Sequence, residues 1–163
     1  MGGARAKAAL GSVIFLVVVP GTVAGLIPWL LTGWYSSDPP VAVAVVGALL
    51  IAAGLGVLLH AFARFVIEGI GTPAPMAPTQ CLVVGGLYRH VRNPMYIAVA
   101  AVIVGQALLL GRPELLVYAL VFMAAVATFV RLYEEPVLSL RFGDQYAQYR
   151  RAVPAWRPRL RRW

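Results

Sequence analysis

The chain has 163 residues, of which 61% are hydrophobic and only 12% are charged, and its formal net charge is +8. Soluble domains carry roughly twice that charged fraction, so the composition excludes an ordinary soluble protein and indicates one integral membrane domain. A helix needs roughly 20 apolar residues to cross the hydrocarbon core of a bilayer. Four stretches without a charged residue are long enough or nearly so: residues 8–37, 39–63, 93–111 and 115–130.

The first predicted helix covers about residues 10–31. Its apolar run is longer than the roughly 7–15 residues of a signal-sequence core, so we expect a retained helix. Because Pro20 lacks a backbone N–H and Gly21 follows it, this helix should be kinked. The second predicted helix covers about residues 41–65. Its glycines predict close contact with a neighbouring helix; they are Gly47, Gly54 and Gly56.

Residues 67–86 carry so many prolines and glycines that they predict an ordered loop and no regular helix. The third predicted helix, about residues 94–110, opens on Pro94, whose missing N–H would have no partner at that position anyway. Only a tight turn separates it from the fourth, so the two form an antiparallel hairpin. The fourth continues past Glu135, with a kink or a new start at Pro136. We therefore expect an all-α membrane protein with about four transmembrane helices.

The basic residues are distributed unevenly. With a cytoplasmic N-terminus and four helices, thirteen of the fourteen basic residues lie on the cytoplasmic side and only Arg112 lies on the other. This bias is typical of membrane proteins, so topology explains the charge and nucleic-acid binding is not needed. We expect both termini in the cytoplasm and anionic membrane lipids as the counter-charge. With one cysteine, Cys81, and two histidines, no metal site is predicted.

Two polar segments stand out against this apolar background, residues 85–96 and residues 134–149. The hairpin brings them to the same end of the molecule. Polar groups are costly at membrane depth, so their concentration there predicts a functional site. The start of the third helix favours a carboxylate, and the rings of Tyr88 and Tyr96 favour a cation. Alternatively, Asn93 only caps the helix, and the tyrosines and arginines only anchor it at the interface.

In order and spacing, these segments resemble the membrane-embedded methyltransferases of the isoprenylcysteine carboxyl methyltransferase and phospholipid methyltransferase group. The resemblance covers about residues 73–158 and implies a family-like cofactor-binding core there, preceded by N-terminal helices over residues 1–72 of the single domain 1–163. The matching pieces are Gly86-Leu87-Tyr88, Arg92-Asn93-Pro94-Met95-Tyr96, Glu134-Glu135, Phe142-Gly143 with Tyr146 and Tyr149, and Val153-Pro154.

The resemblance implies S-adenosylmethionine as the cofactor, in a site formed by the loop, the hairpin and the C-terminal helical tail. It places the cofactor contacts on Gln80, Cys81, Leu82, Val83, Tyr88, Asn93, Pro94, Met95, Tyr96 and Glu134. A carboxylate of the Glu134-Glu135 pair would hold the cofactor's amino group or offset its sulfonium. Alternatively, these acids only pair with Arg131 at helical spacing.

The chain departs from the family pattern at two positions. Asn93 stands where isoprenylcysteine enzymes have histidine, and a substrate-side arginine of the eukaryotic enzymes falls on Val130, beside Arg131. We therefore take Arg131 as the candidate catalytic residue and do not assume that prenylcysteine is the acceptor.

The sequence thus predicts a membrane methyltransferase whose cofactor site faces the cytoplasm and whose acceptor is lipophilic or small. Since no convincing base is visible, a carboxylate or thiol acceptor is favoured. One alternative is a non-enzymatic four-helix membrane protein or transporter subunit that binds anionic lipid. Another is a membrane reductase, although the chain shows no Gly-x-Gly-x-x-Gly fingerprint for a nicotinamide cofactor.

Overall fold

A computed structural model of the chain describes residue 14, residues 17–64, residue 67 and residues 81–159. Throughout this part of the chain the regular structure is helical and no strand occurs, which confirms the all-α class. The helices are α1 (Val17–Thr32), α2 (Val41–Arg64), α3 (Pro94–Leu110), α4 (Glu114–Phe129) and α5 (Glu135–Ala152). A π-helical turn, Val130–Glu134, joins α4 to α5 in one helical run, Glu114–Ala152.

Two of these elements are long and apolar enough to cross a membrane, namely α2 and the run Glu114–Ala152. In the described part of the chain α1 and α3 are apolar but shorter, so the count of four transmembrane helices stays a prediction. The predicted bounds of the second, third and fourth helices agree with the structure to within about one residue at each end where both are defined. The predicted loop over residues 67–86 lies mostly outside the described residues.

The kink predicted in the first helix appears as a π-helical turn, Thr22–Leu26, directly after Pro20 and Gly21. The N–H of Ile27 donates to the carbonyl oxygen of Thr22, five residues back. That shift in pairing leaves the carbonyl oxygens of Val23 and Ala24 short of backbone donors, because Pro28 has no N–H to offer them. A π-helical turn of this kind frequently marks a functional site, and this one borders the cavity described below.

Side chains of α3 and α4 satisfy those two carbonyls. The hydroxyl of Tyr118 donates to the carbonyl oxygen of Val23 at 2.8 Å, and Nε2 of Gln106 donates to that of Ala24 at 2.7 Å. The amide oxygen of Gln106 in turn accepts a bond from the indole of Trp34 at 3.1 Å. These bonds fasten α1 to the α3–α4 hairpin.

Small residues let α2 and α3 approach each other closely, as the glycines of α2 predict. A Cβ on Gly47 would lie 2.5 Å from the backbone nitrogen of Leu109, and one on Gly54 would lie 2.9 Å from the carbonyl oxygen of Ala98. Gly105 of α3 contacts the backbone of Gly47 from the other side. No atom lies within 4 Å of a Cβ placed on Gly56, so the prediction is wrong for that residue.

The predicted hairpin is confirmed. Gly111 takes a positive φ of 64° and ends α3, and α4 begins three residues later at Glu114. The start of α3 and the π-helical turn Val130–Glu134 therefore meet at the same end of the hairpin. At that end Gly143, with φ 49° and ψ −124°, interrupts α5.

Candidate functional site

The first turn of α3 and the π-helical turn Val130–Glu134 are joined by a side-chain hydrogen bond. The hydroxyl of Tyr96 donates to Oε2 of Glu134 at 3.0 Å. Both side chains are half-buried. Among the described residues no basic side chain lies within ion-pair distance of the Glu134 carboxylate. A carboxylate at the edge of an apolar space and without a cation is costly, which makes Glu134 a natural binding group for a cationic ligand.

Glu135 has the opposite environment. Its Oε1 accepts a bond from Nη1 of Arg92 at 2.6 Å, and its Oε2 lies 3.3 Å from a guanidinium nitrogen of Arg150. Arg92 also donates to the hydroxyl of Tyr146 at 3.1 Å and to the carbonyl oxygen of Val153 at 3.0 Å. Arg92 therefore joins the start of α3 to both ends of α5. The alternative that the acids pair with Arg131 does not hold for Glu135.

The hydroxyl of Tyr146 accepts the bond from Arg92 in a buried position. The hydroxyl of Tyr149, also buried, donates to the carbonyl oxygen of Tyr88 at 2.8 Å. Tyr149 thus acts as a donor and Tyr146 as an acceptor, and both belong to the core because their side chains are buried.

The chain after α5 lies along the segment before α3. The backbone N–H of Arg92 donates to the carbonyl oxygen of Pro154 at 2.9 Å, and that of Arg159 donates to the carbonyl oxygen of His90 at 2.9 Å. Nδ2 of Asn93 donates to the carbonyl oxygen of Ala155 at 3.2 Å and makes no capping bond to α3. The side chain of Asn93 therefore holds the tail, and the alternative that it caps the helix is wrong.

A cavity of about 100 Å³ lies between these elements. Its polar end is formed by residues of the loop, of α3 and of the π-helical turn, and its other walls are apolar residues of α1, α2, α3 and α4. The polar end consists of Tyr88, Arg92, Asn93, Tyr96 and Glu134, and the apolar walls of Val19, Pro20, Val23, Leu58, Pro94, Met95, Val99 and Phe122.

The structure brings six of the predicted cofactor contacts together at this cavity. They are Tyr88, Asn93, Pro94, Met95, Tyr96 and Glu134. Cys81 is exposed, Leu82 packs against the cluster formed by Tyr146, Tyr149 and Val153, and Val83 is buried against Ala61 and Tyr88. Gln80 lies outside the described residues.

Arg131, the candidate catalytic residue, is exposed and does not line the cavity. Conversely, sequence reasoning missed the α1 wall, formed by Val19, Pro20 and Val23, and the opposing ring of Phe122. An apolar side chain that faces a cavity looks the same in sequence as one that faces lipid. The only available signal was Pro20, which predicts the irregularity in α1.

Fold and site together define a helical protein of membrane type with a polar cavity at one end of a helix hairpin. Residues 42–145, more than half of the chain, match the family model described as phospholipid methyltransferase. The chain belongs to the phospholipid methyltransferase family, which confirms the resemblance.

The chain is also similar to the protein-S-isoprenylcysteine O-methyltransferase of Schizosaccharomyces pombe, with 36% identity over 78 residues. The alignment covers 47% of this chain and 33% of the yeast protein, so the chain spans about a third of that relative. The activity in the name of the yeast relative is therefore carried over to this chain only as part of the proposal below.

Proposed function

We propose that this chain is a membrane-embedded methyltransferase that uses S-adenosylmethionine. The observation that carries the proposal is the Glu134 carboxylate, which faces an apolar cavity and has no cationic partner among the described residues. When bound, S-adenosylmethionine supplies an electrophilic methyl group on a sulfonium. That cofactor bears an ammonium as well, so its charges complement Glu134.

The residues at the polar end fit the methionyl part of such a cofactor. Glu134 would hold the ammonium, with its direction fixed by Tyr96. The start of α3 has free N–H groups and lies beside Arg92, so this side of the cavity favours the cofactor carboxylate. The aromatic faces of Tyr88 and Tyr96 favour the sulfonium. These residues would bind and orient the cofactor. Positioning of the reactants alone can account for a substantial part of the reduction of the barrier to methyl transfer.

The size of the cavity limits what it encloses. Ligand pockets typically measure about 300–1,000 Å³, which is several times the volume of about 100 Å³ found here. The enclosed space therefore suits the methionyl end of the cofactor, and the adenosine end would extend beyond it.

The apolar walls support a lipophilic acceptor. Val19 on α1 is exposed on the outer surface and also lines the cavity, so the cavity wall and the surface that faces lipid share a residue. Glu134 is the sole carboxylate on the cavity among the described residues. If it holds the cofactor, it is not free to remove a proton, which favours an acceptor that ionises readily, such as a carboxylate or a thiol.

Binding of S-adenosylhomocysteine by calorimetry in detergent tests the proposal. Wild-type protein should bind, and Glu134→Gln should bind about ten- to a hundredfold more weakly, since a charge-assisted hydrogen bond contributes about 1.5–3 kcal/mol. Glu114→Gln changes an exposed acid at the far end of α4 and should leave affinity unchanged. No binding by wild type would favour the non-enzymatic alternative. Unchanged affinity in Glu134→Gln would remove Glu134 from the site.

A transfer assay with labelled cofactor identifies the acceptor class. Total membrane lipid and small thiols are offered in parallel, and we expect label in one of these two fractions. Label in neither fraction, with cofactor binding intact, would contradict the proposed acceptor class and leave the cofactor assignment standing.

We also propose that the site faces the cytoplasm. The distribution of basic residues supports this orientation. In a Cys81→Ser background, a cysteine at Ser37 should react with an impermeant maleimide from the opposite side to a cysteine placed at Arg157. Reaction of both from one side would overturn the four-helix topology.

A further inference from the structure

The outer face of the long helical run Glu114–Ala152 carries a continuous apolar stripe. On α4 it is formed by neighbouring pairs that recur every four residues, the spacing of one helix face. These exposed residues are Leu116, Val117, Leu120 and Val121. On a helix long and apolar enough to cross a membrane, such a face is the one that contacts lipid.

The stripe does not end where the acidic residues begin. It continues through the π-helical turn into α5 as Leu132, Tyr133, Val137 and Leu140. Leu132 is 72% exposed and Leu140 is 89% exposed, the latter the highest value among the large hydrophobic side chains described. A contiguous exposed apolar surface, unlike a single exposed leucine, marks a contact surface.

The stripe stops abruptly beyond Leu140. The exposed side chains that follow it in α5 are polar and include Asp144, Gln145 and Gln148. The positive φ of Gly143 breaks the helix at the same place. Glu134, on the other face, precedes Leu140 by six residues, which is about 9 Å along a helix. Over that distance Val137 and Leu140 are exposed, whereas Leu138 packs inward against the cluster of Tyr146, Tyr149 and Val153.

Two arginines border this part of the stripe. Arg131 and Arg141 are both exposed, and the guanidinium of Arg141 lies 5.7 Å from the ring centroid of Phe142. An apolar helix face with basic residues along its border is typical of helices that lie in the interfacial layer of an anionic membrane. The long arginine side chains can then reach lipid phosphates.

We propose that the surface formed by Leu132, Tyr133, Val137 and Leu140 lies in the membrane leaflet on the side of the site, with Arg131 and Arg141 on anionic lipid phosphates. Continuity with the apolar face of α4 and the flanking positive charge favour a lipid surface over a second copy of the chain. The proposal does not depend on methyl transfer.

The proposal has two consequences for the site. Arg131 becomes a lipid-headgroup contact, in keeping with its absence from the cavity wall. In addition, Glu134 lies on the same stretch of helix as this surface, so the polar end of the cavity lies close to the leaflet. An acceptor that stays in the membrane would reach this end of the cavity without leaving the leaflet.

Fluorescence quenching in proteoliposomes tests the proposal. In a Cys81→Ser background, an environment-sensitive label is attached at Leu140→Cys or at Gln148→Cys, the matched exposed control beyond the kink. A nitroxide near the top of the acyl chain should quench the label at residue 140 several-fold more than the label at residue 148. Aqueous iodide should show the reverse order.

Changing the charge of the lipid tests the role of the two arginines separately from that of the apolar stripe. Adding phosphatidylglycerol to phosphatidylcholine vesicles should increase nitroxide quenching at residue 140, and Arg131→Gln with Arg141→Gln should abolish that increase. Equal quenching at residues 140 and 148 would overturn the membrane contact. Oxidative cross-linking of Leu140→Cys between two copies would show that a second chain covers the surface. Quenching that does not respond to phosphatidylglycerol would overturn the role of the two arginines.

Discussion

Tyr96 and Glu134 are 38 residues apart in the chain, and the phenol of Tyr96 donates to the Glu134 carboxylate at 3.0 Å. The bond fixes the direction of a carboxylate that has no basic partner among the described residues. Because both groups line the cavity, we expect Tyr96 to act on a bound ligand directly through its ring and indirectly through Glu134.

Tyr96→Phe separates these two roles. The ring stays, while the hydrogen bond that orients Glu134 is lost. We expect affinity for S-adenosylhomocysteine to fall about three- to tenfold, less than in Glu134→Gln, since an ordinary hydrogen bond contributes about 0.5–1.5 kcal/mol. Calorimetry measures the change, and Tyr133→Phe on the exposed face serves as the control. Affinity equal to that of wild type would mean that Tyr96 does not orient Glu134 for binding.

Arg92→Lys should destabilise the protein even though the charge is kept. The guanidinium bonds to Glu135, to the hydroxyl of Tyr146 and to the carbonyl oxygen of Val153, and an ammonium cannot span all three. We expect a loss of about 2–4 kcal/mol in unfolding free energy, somewhat less than the roughly 3–5 kcal/mol for a broken fully buried ion pair, because both side chains keep some exposure. Unfolding in detergent measures it. Arg150→Gln, an exposed partner of the same Glu135, should cost at most about 1 kcal/mol. Equal losses in both variants would contradict the central role of Arg92.

The bounds of α3 were predictable from the sequence because local signals fix both ends. Pro94 suits a first helical position, and Gly111 supplies the positive φ that ends the helix. The hairpin and the meeting of the two polar segments follow from those ends. The wall from α1 was not predictable, since Val19 and Val23 carry no signal that separates a cavity-facing side from a lipid-facing side.

The orientation of Asn93 was not predictable either. Its position at the start of α3 and the family pattern both indicate a ligand contact, yet its amide donates to the carbonyl oxygen of Ala155. The path of the tail depends on the packing of Tyr149 and Val153 against the loop, which is a tertiary property. Asn93 also lines the cavity, so a cofactor contact through its oxygen stays a prediction.

Asn93→Leu should loosen the tail as well as the site. The leucine cannot donate to Ala155, so limited proteolysis should cleave the tail faster than in wild type. Asn93→His keeps a ring N–H donor at the position, so we expect slower cleavage than in Asn93→Leu and retained cofactor binding. Proteolysis and calorimetry on the three proteins distinguish the roles. Wild-type behaviour of Asn93→Leu in both measurements would show that neither the tail bond nor the cofactor contact matters.

Gly47→Ala and Gly56→Ala form a matched pair on α2. The added methyl at Gly47 would meet the backbone of Leu109 and Gly105, at 2.5 and 2.6 Å, and backbone atoms cannot rotate away. Forcing α2 and α3 apart should cost about 1–3 kcal/mol, as overpacking typically does. At Gly56 the methyl meets no atom within 4 Å, so stability should be unchanged or slightly higher. Unfolding in detergent measures both, and similar losses would contradict the close contact of α2 with α3.

Gln106→Leu should release α1 from the α3–α4 hairpin, for a reason that lies in α1 itself. Pro28 offers no N–H to the carbonyl oxygen of Ala24, and Nε2 of Gln106 replaces it at 2.7 Å. Leaving that carbonyl unpaired should cost about 1–3 kcal/mol, or nearer 0.6 kcal/mol if the chain relaxes as membrane helices often do. The free energy of unfolding in mixed detergent micelles measures the loss.

Pro28→Ala makes the explanation testable, because it restores the backbone donor that Ala24 lacks. Gln106→Leu should therefore cost less in a Pro28→Ala background than in wild type, by an amount that a double-mutant cycle isolates. An equal cost in both backgrounds would assign the loss to the other bonds of Gln106, chiefly the one at 3.1 Å that its amide oxygen accepts from the indole of Trp34, since the one to Val102 at 3.4 Å is longer. In that event Trp34→Phe should reproduce the loss, and the carbonyl of Ala24 would play no part in holding α1.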